Sequence, residues 1–165
     1  MKSLVVYDSR HGFTERCMNL LAEAASSPLE LWSLAARKNT PKWDDYDAVA
    51  LGGPVYFGHW STRLTTFAAR HADTISRRPR IAAFVTSLSP RAAALRYFSA
   101  GIPASFKGKL GKVAVFGGGV TWDELSWWER AYLKWHRGFE TDASNLNLNE
   151  IHALADWLCA KFDTP

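Results

Sequence analysis

The chain has 165 residues, 47% of them hydrophobic and 22% charged, with a formal net charge of +4. That is enough apolar material for one core and too much for a disordered chain, so a single domain over 1–165 is expected. No uncharged apolar run is long enough to span a bilayer. Met1-Lys2-Ser3 leads straight into Leu4-Val5-Val6 without a cleavable signal pattern, so the expected location is the cytoplasm. Lys and Arg are scattered, with small clusters at Arg77-Arg78-Pro79-Arg80 and 107–112. No nucleic-acid motif accompanies them, and no nucleic-acid partner is expected. Cys17 and Cys159 have no ligand-type neighbours at metal spacing, so they read as buried thiols and no metal is expected.

In chain order, the first apolar run is Leu4-Val5-Val6-Tyr7. A helix follows from near Thr14, with Glu15 in its first turn, an apolar stripe at Cys17, Leu20, Leu21 and Ala24, and a stop before Pro28. The run at 29–32 alternates. It is followed by a polar stretch at 37–45 where a helix would be short. Ala48-Val49-Ala50-Leu51 is the third run. The next helix starts at Ser61 or Thr62, with Leu64, Phe67, Ala68 and His71 on one face. After the run at 81–85, Ser89 as N-cap and Pro90 at the first helical position predict another helix. The fifth run is Val113-Ala114-Val115-Phe116. The last helix is predicted over about 150–162, capped by Asn147 or Asn149, with Ile151, Leu154, Ala155 and Leu158 inward. Four of the five runs are nearly continuous, as strands covered on both faces require. Strands alternating with helices predict an α/β fold: a doubly wound, five-stranded parallel sheet in the flavodoxin-like order 2-1-3-4-5, with helices on both faces and ligand at the strand C-termini.

The loop after the first run carries Ser9, Arg10, His11, Gly12, Phe13 and Thr14 into a helix. Backbone N–H groups at a helix N-terminus favour an anion. Ser9 and Thr14 add hydroxyls, Gly12 permits close approach and Arg10 adds charge. No Gly-Lys-Ser/Thr follows, which excludes a nucleotide triphosphatase loop, and the dinucleotide glycine pattern is missing. A plain Ser/Thr-capped helix is the alternative reading. The third strand ends in Gly52-Gly53 followed by Pro54, Val55, Tyr56, Phe57, Gly58, His59 and Trp60. Glycines and clustered aromatics there suit a flat ring, or else a turn whose aromatics fill the core. Thr86, Ser87, Leu88 and Ser89 after the fourth strand, and Gly117-Gly118-Gly119 after the fifth, belong to the same sheet edge.

On these residues the chain resembles a known family. Ser9-x-x-Gly12-x-Thr14 is similar to the phosphate loop of flavodoxins. Trp43-x-x-Tyr46-Asp47-x-Val49-x-x-Gly52, Tyr56-x-Gly58-His59 and Glu140-Thr141-Asp142 resemble the menaquinone-dependent protoporphyrinogen IX dehydrogenase branch. The resemblance implies FMN with its phosphate on residues 9–14 and its isoalloxazine between the 54–58 and 86–89 loops. It implies electrons passing from a porphyrinogen through FMN to a quinone in the membrane. Two departures stand out: Asp8 sits where a small hydroxyl residue would suit phosphate better, and the 86–89 loop has no aromatic to stack on the flavin. The alternatives are a flavodoxin-type electron carrier with a redox-protein partner, and a binding module of the same fold that has lost FMN. Carriers that dock basic partners tend to be acidic, and this chain is basic.

His59 could shuttle a proton, although a surface or structurally bonded histidine is the favoured reading. The segment 120–139 carries Trp122, Trp127, Trp128, Tyr132 and Trp135 with Arg130, Lys134, His136 and Arg137 interleaved. On a helix Leu125, Trp128, Tyr132 and Trp135 fall near one face. With Gly118 and Gly119 beside it, this segment reads as a wall for a large aromatic substrate, a peripheral contact with the inner face of the cell membrane, or an amphipathic helix packed on the sheet. An inserted segment lies at this point in the dehydrogenase branch.

Overall fold

The computed structural model describes residues 2–37, 39–137 and 143–160. Strands β1 (Ser3–Tyr7), β2 (Leu29–Ser33), β3 (Ala48–Tyr56), β5 (Arg80–Thr86) and β6 (Leu110–Gly117) form a parallel sheet in the order β2-β1-β3-β5-β6, the order expected from the sequence. Ser3 pairs with Leu29 on one side and Ala48 on the other, and Ala48 pairs with Arg80. All five strands therefore end at one edge.

Period-two alternation divides the core between the two faces. Leu4, Val6, Val49, Leu51, Ala83 and Val85 face α2 (Thr62–Arg70), α3 (Ala72–Ser76) and α4 (Arg91–Gly101), which supply Leu64, Ala68, Ile75 and Phe98. Val5, Ala50, Ala82, Phe84, Ala114 and Phe116 face α1 (Phe13–Ala24) and α6 (Leu148–Cys159), which supply Cys17, Met18, Leu21, Ile151, Leu154 and Leu158. Burial pushes the Cys17 thiol up to about 12, so it is a protonated core side chain at neutral pH.

Caps fall close to the expected positions. The Ser61 hydroxyl accepts from the Leu64 amide at 3.5 Å, and Asn147 Oδ1 accepts from the Glu150 amide at 3.2 Å. The α4 start is displaced by one residue. The N-cap is Pro90, extended at ψ 148°, and the first helical bond runs from the Ala94 amide to the Pro90 carbonyl. The Ser89 amide instead donates to Ser87 Oγ at 3.0 Å, closing the loop after β5. The stretch at 37–45 holds a 3-10 turn at Trp43–Asp45. The final helix is described to Cys159, and Phe162 and the Glu140-Thr141-Asp142 stretch lie outside the described residues.

β3 is longer than its apolar run. It continues through Gly52 and Gly53 because both glycines admit neighbours. A Cβ on Gly52 would land on the Phe84 ring, and one on Gly53 would meet Leu64 and the Asp8 backbone. The turn comes later. Phe57 (φ 50°) and Gly58 (φ 78°) reverse the chain into β4 (His59–Trp60), which pairs antiparallel with β3. Two positive φ values in a two-residue connection match the twist of a hairpin, and Phe57 is costly there because it has a Cβ.

Between β6 and α6 the chain makes an excursion. β7 (Gly119–Val120) pairs antiparallel with β8 (Ala143–Ser144), and α5 (Trp127–Arg137) lies between them in sequence. The two ends of the excursion are tied together. The Gly118 amide donates to Asn145 Oδ1 at 2.6 Å, and the Asn145 amide donates to the Gly118 carbonyl at 2.9 Å. Among the described residues no helix is long and apolar enough to cross a membrane.

Candidate functional site

At the C-terminal edge of the sheet lies a cleft that is partly open to solvent. Its lining comes from four loops and α5. Arg10, His11, Phe13 and Thr14 come from the loop after β1. Pro54, Val55, Tyr56, Phe57 and Gly58 come from the end of β3 and its hairpin. Thr86, Ser87, Leu88 and Ser89 follow β5, and Gly118, Gly119 and Val120 follow β6. Leu125, Glu129, Tyr132 and Leu133 close the remaining side.

The floor is a helix start without a side-chain cap. Gly12, at φ 76° and ψ −20°, is the N-cap residue of α1 and has no side chain to cap the turn itself. The Glu15 amide donates to Ser9 Oγ at 3.3 Å, while the Phe13 and Thr14 amides have no protein partner among the described hydrogen bonds. Those open donors add to the positive end of the helix dipole. Beneath them the Thr14 and Thr86 hydroxyls share a hydrogen bond at 2.8 Å, locking the first loop to the end of β5. The loop after β6 is pressed onto the loop after β5, where a Cβ on Gly118 would land on the Ser87–Leu88 backbone. Tyr56, Phe57 and residues 86–89 all line the resulting cleft. Burial pushes the Tyr56 phenol up, so it stays a neutral donor at physiological pH.

Asp8 does not enter this cleft. Its carboxylate is 7% exposed and turns toward α2, where it accepts from Ser61 Oγ at 2.6 Å and Arg63 Nη1 at 2.7 Å. The departure in the phosphate-loop pattern thus becomes a tie between the first loop and the start of α2.

Glu129 is the residue that sequence reasoning missed. It is 5% exposed, and it accepts from the Ser126 amide at 3.0 Å and the Ser126 hydroxyl at 2.6 Å. It also contacts His11 Nε2 at 3.1 Å and Arg10 Nη2 at 3.5 Å. Burial works to raise its carboxyl, but the bonds from Ser126 and His11 together outweigh it and hold the group below the usual carboxylate range. The signal was present as Ser126-x-x-Glu129, a capping box that opens a helix and fixes the glutamate in its first turn.

The other expected residues divide. Ser9 and the exposed His59 line a second groove on the far side of the hairpin, together with Asp8 and Arg63, and His59 is not among the cleft residues. The helical stripe of the aromatic segment is rotated from the expected one. Its inward side is Glu129, Tyr132 and Leu133, because the capping box turns Glu129 toward the cleft. Trp128 sits at the rim, stacked on Phe57 at 5.4 Å, while Tyr132 meets Phe57 edge-on at 4.4 Å. Trp127 and Trp135 are 81% and 84% exposed, and Trp122 lies near Arg130.

The sequence profile of the flavodoxin domain family matches residues 4–145. The chain belongs to the flavodoxin family. Solved structures similar to this chain include a flavodoxin from the domain Archaea (TM-score 0.56, 15% identity, 96% of both chains). A WrbA-like protein from Agrobacterium tumefaciens gives TM-score 0.55 at 20% identity, over 96% of this chain and 92% of that one. A Lactobacillus acidophilus flavoprotein solved in complex with FMN gives TM-score 0.51 at 18% identity, over 71% of this chain and 91% of that one. In sequence, the chain is 28% identical over 85 residues to the quinone-type protoporphyrinogen IX dehydrogenase of Escherichia coli K12. The aligned stretch covers 48% of this chain and 45% of that relative.

Proposed function

We propose that this protein holds FMN in the cleft and works as an oxidoreductase of the protoporphyrinogen dehydrogenase type. It would take electrons from a reduced aromatic substrate and deliver them to a quinone. The observation that carries the cofactor reading is the uncapped α1 N-terminus opening into a slot between aromatic and hydroxyl-lined loops. The open Phe13 and Thr14 amides suit a phosphate, and the space between Tyr56, Phe57 and residues 86–89 suits a flat ring. When bound, FMN supplies one- and two-electron chemistry.

The chain's own residues do the rest. Arg10, His11, Phe13 and Thr14 hold the anionic end. Pro54, Val55, Tyr56, Phe57 and Gly58 form one wall of the ring slot, and Thr86, Ser87, Leu88 and Ser89 form the other. Leu125, Tyr132 and Leu133 cover the open side and exclude water. That cover favours an enzyme whose substrate enters the cleft over a carrier that offers its flavin to a docking protein. The partial alignment to the quinone-type dehydrogenase supports the same choice.

Trp127 and Trp135, both exposed on α5, fit a peripheral contact with a membrane surface on the cytoplasmic side, where a quinone would be met. In this reading residues 1–165 form one flavodoxin-like domain and α5 is its inserted element.

The test is direct. Purified protein should quench the fluorescence of added FMN, and the loaded protein should oxidise a porphyrinogen only when a quinone is supplied. Flavin binding without that activity, joined to rapid reduction by a flavoprotein reductase, would leave the carrier reading in its place.

A further inference from the structure

Arg10 and His11 of the α1 loop are already engaged before any ligand arrives. Glu129 Oε1 lies 3.1 Å from His11 Nε2 and 3.5 Å from Arg10 Nη2, and the carboxylate is held in place by two hydrogen bonds from Ser126. The same carboxylate lines the cleft beside Arg10, His11 and Thr14. Arg10 is further held between rings, 5.6 Å from the Tyr56 centroid and 5.8 Å from that of Trp128. A phosphate arriving at the α1 N-terminus and the Glu129 carboxylate are like charges competing for one pair of donors.

We infer that Glu129 is an internal anion that competes with the cofactor's phosphate for Arg10 and His11, and so sets how strongly the cleft prefers a phosphorylated flavin over an unphosphorylated one. This rests on the flavin reading above. The main-chain donors of residues 13 and 14 capture the phosphate, while Glu129 subtracts the side-chain contribution. The isoalloxazine carries no charge for Glu129 to repel, and although Arg10 and His11 also touch Tyr56, that contact is common to both flavins. Glu129 is therefore a specificity determinant for the phosphate.

The experiment titrates the full-length chain with FMN and, separately, with riboflavin, following flavin fluorescence, for the wild type, Glu129→Gln and Glu129→Asp. Gln keeps the acceptor for Ser126 and removes the charge. Asp keeps the charge and withdraws it from His11 by one methylene. Both variants are expected to raise the ratio of FMN to riboflavin affinity, by about three- to tenfold for Glu129→Gln and less for Glu129→Asp, the range of one partly screened charge pair. In an Arg10→Gln/His11→Gln background, Glu129→Gln should change the ratio less than about twofold, since the contested donors are gone. A merely structural loosening of α5 would lower both affinities together and leave the ratio fixed, which overturns the inference. A fall in the ratio overturns it as well. A wild type that binds neither flavin removes the cofactor reading itself, and is recognised by the absence of any quenching in either titration.

Discussion

The sheet and α5 use aromatic rings in opposite ways. Phe84 and Phe116 stack at 4.9 Å and 16° between the sheet and its helices, with no solvent exposure. On α5, Trp127 and Trp135 stand more than four-fifths exposed, and the helix is held to the body by a carboxylate and by the Phe57 contacts. Rings that are shut away contribute stability through area removed from water; rings left on the surface contribute none and invite a partner. The cleft lies on the seam, where Tyr56 and Phe57 from the first region meet Trp128 and Tyr132 from the second.

Substitutions can break this contrast. Phe84→Ala should cost about 3–5 kcal/mol in chemical denaturation. Trp135→Ala should stay within about 0.5 kcal/mol, and a comparable loss at Trp135 would mean that α5 is packed as a core element. Gly118→Ala forces a Cβ onto the Ser87–Leu88 backbone. It should cost about 1–3 kcal/mol and abolish FMN quenching, because it spreads the two loops that form one wall. Ser61→Ala removes both the α2 cap and a donor to Asp8, for a loss of about 1 kcal/mol read as a lower thermal midpoint.

The seam should also show in acid. Folding holds the Glu129 carboxyl below its ordinary value, so its stabilising contribution is present above the usual carboxylate range and disappears as pH falls through the lowered one. The thermal midpoint of wild type should exceed that of Glu129→Gln at neutral pH, and the gap should close between about pH 5 and pH 3. A gap that widened in acid would contradict the contacts seen here. The smallest stability effect belongs to the Trp127→Ala/Trp135→Ala double variant, within about 0.5 kcal/mol. Its readout is flotation with anionic vesicles, which wild type should show and the variant should lose.

The sheet was legible because burial on both faces leaves near-continuous apolar runs and alternation with helices makes it parallel, while the strand order came from the flavodoxin-like pattern that five such strands suit. The cleft loops were legible for a related reason: parallel strands deliver their C-termini to one edge, so Arg10, Tyr56, Ser87 and Gly118 meet although they are far apart in sequence. Other features depended on direction, which a residue list does not carry. Asp8 reads as an obstacle to phosphate until Ser61 and Arg63 are seen to draw it aside. His59 sits next to cleft residues in sequence but, across a two-residue hairpin, lines the other groove. The α5 stripe was set by a carboxylate fixed at the helix start rather than by its apolar period.

The bonds joining Gly118 to Asn145 give the excursion a root of its own. Departure and return share one spot, so the length of chain hung from it is only loosely coupled to the sheet. Doubling such a loop adds about 0.6 kcal/mol of closure entropy. The root is therefore a graft point: evolution, or an engineer, can exchange what hangs over the cleft, and with it the molecules admitted, without redesigning the scaffold beneath.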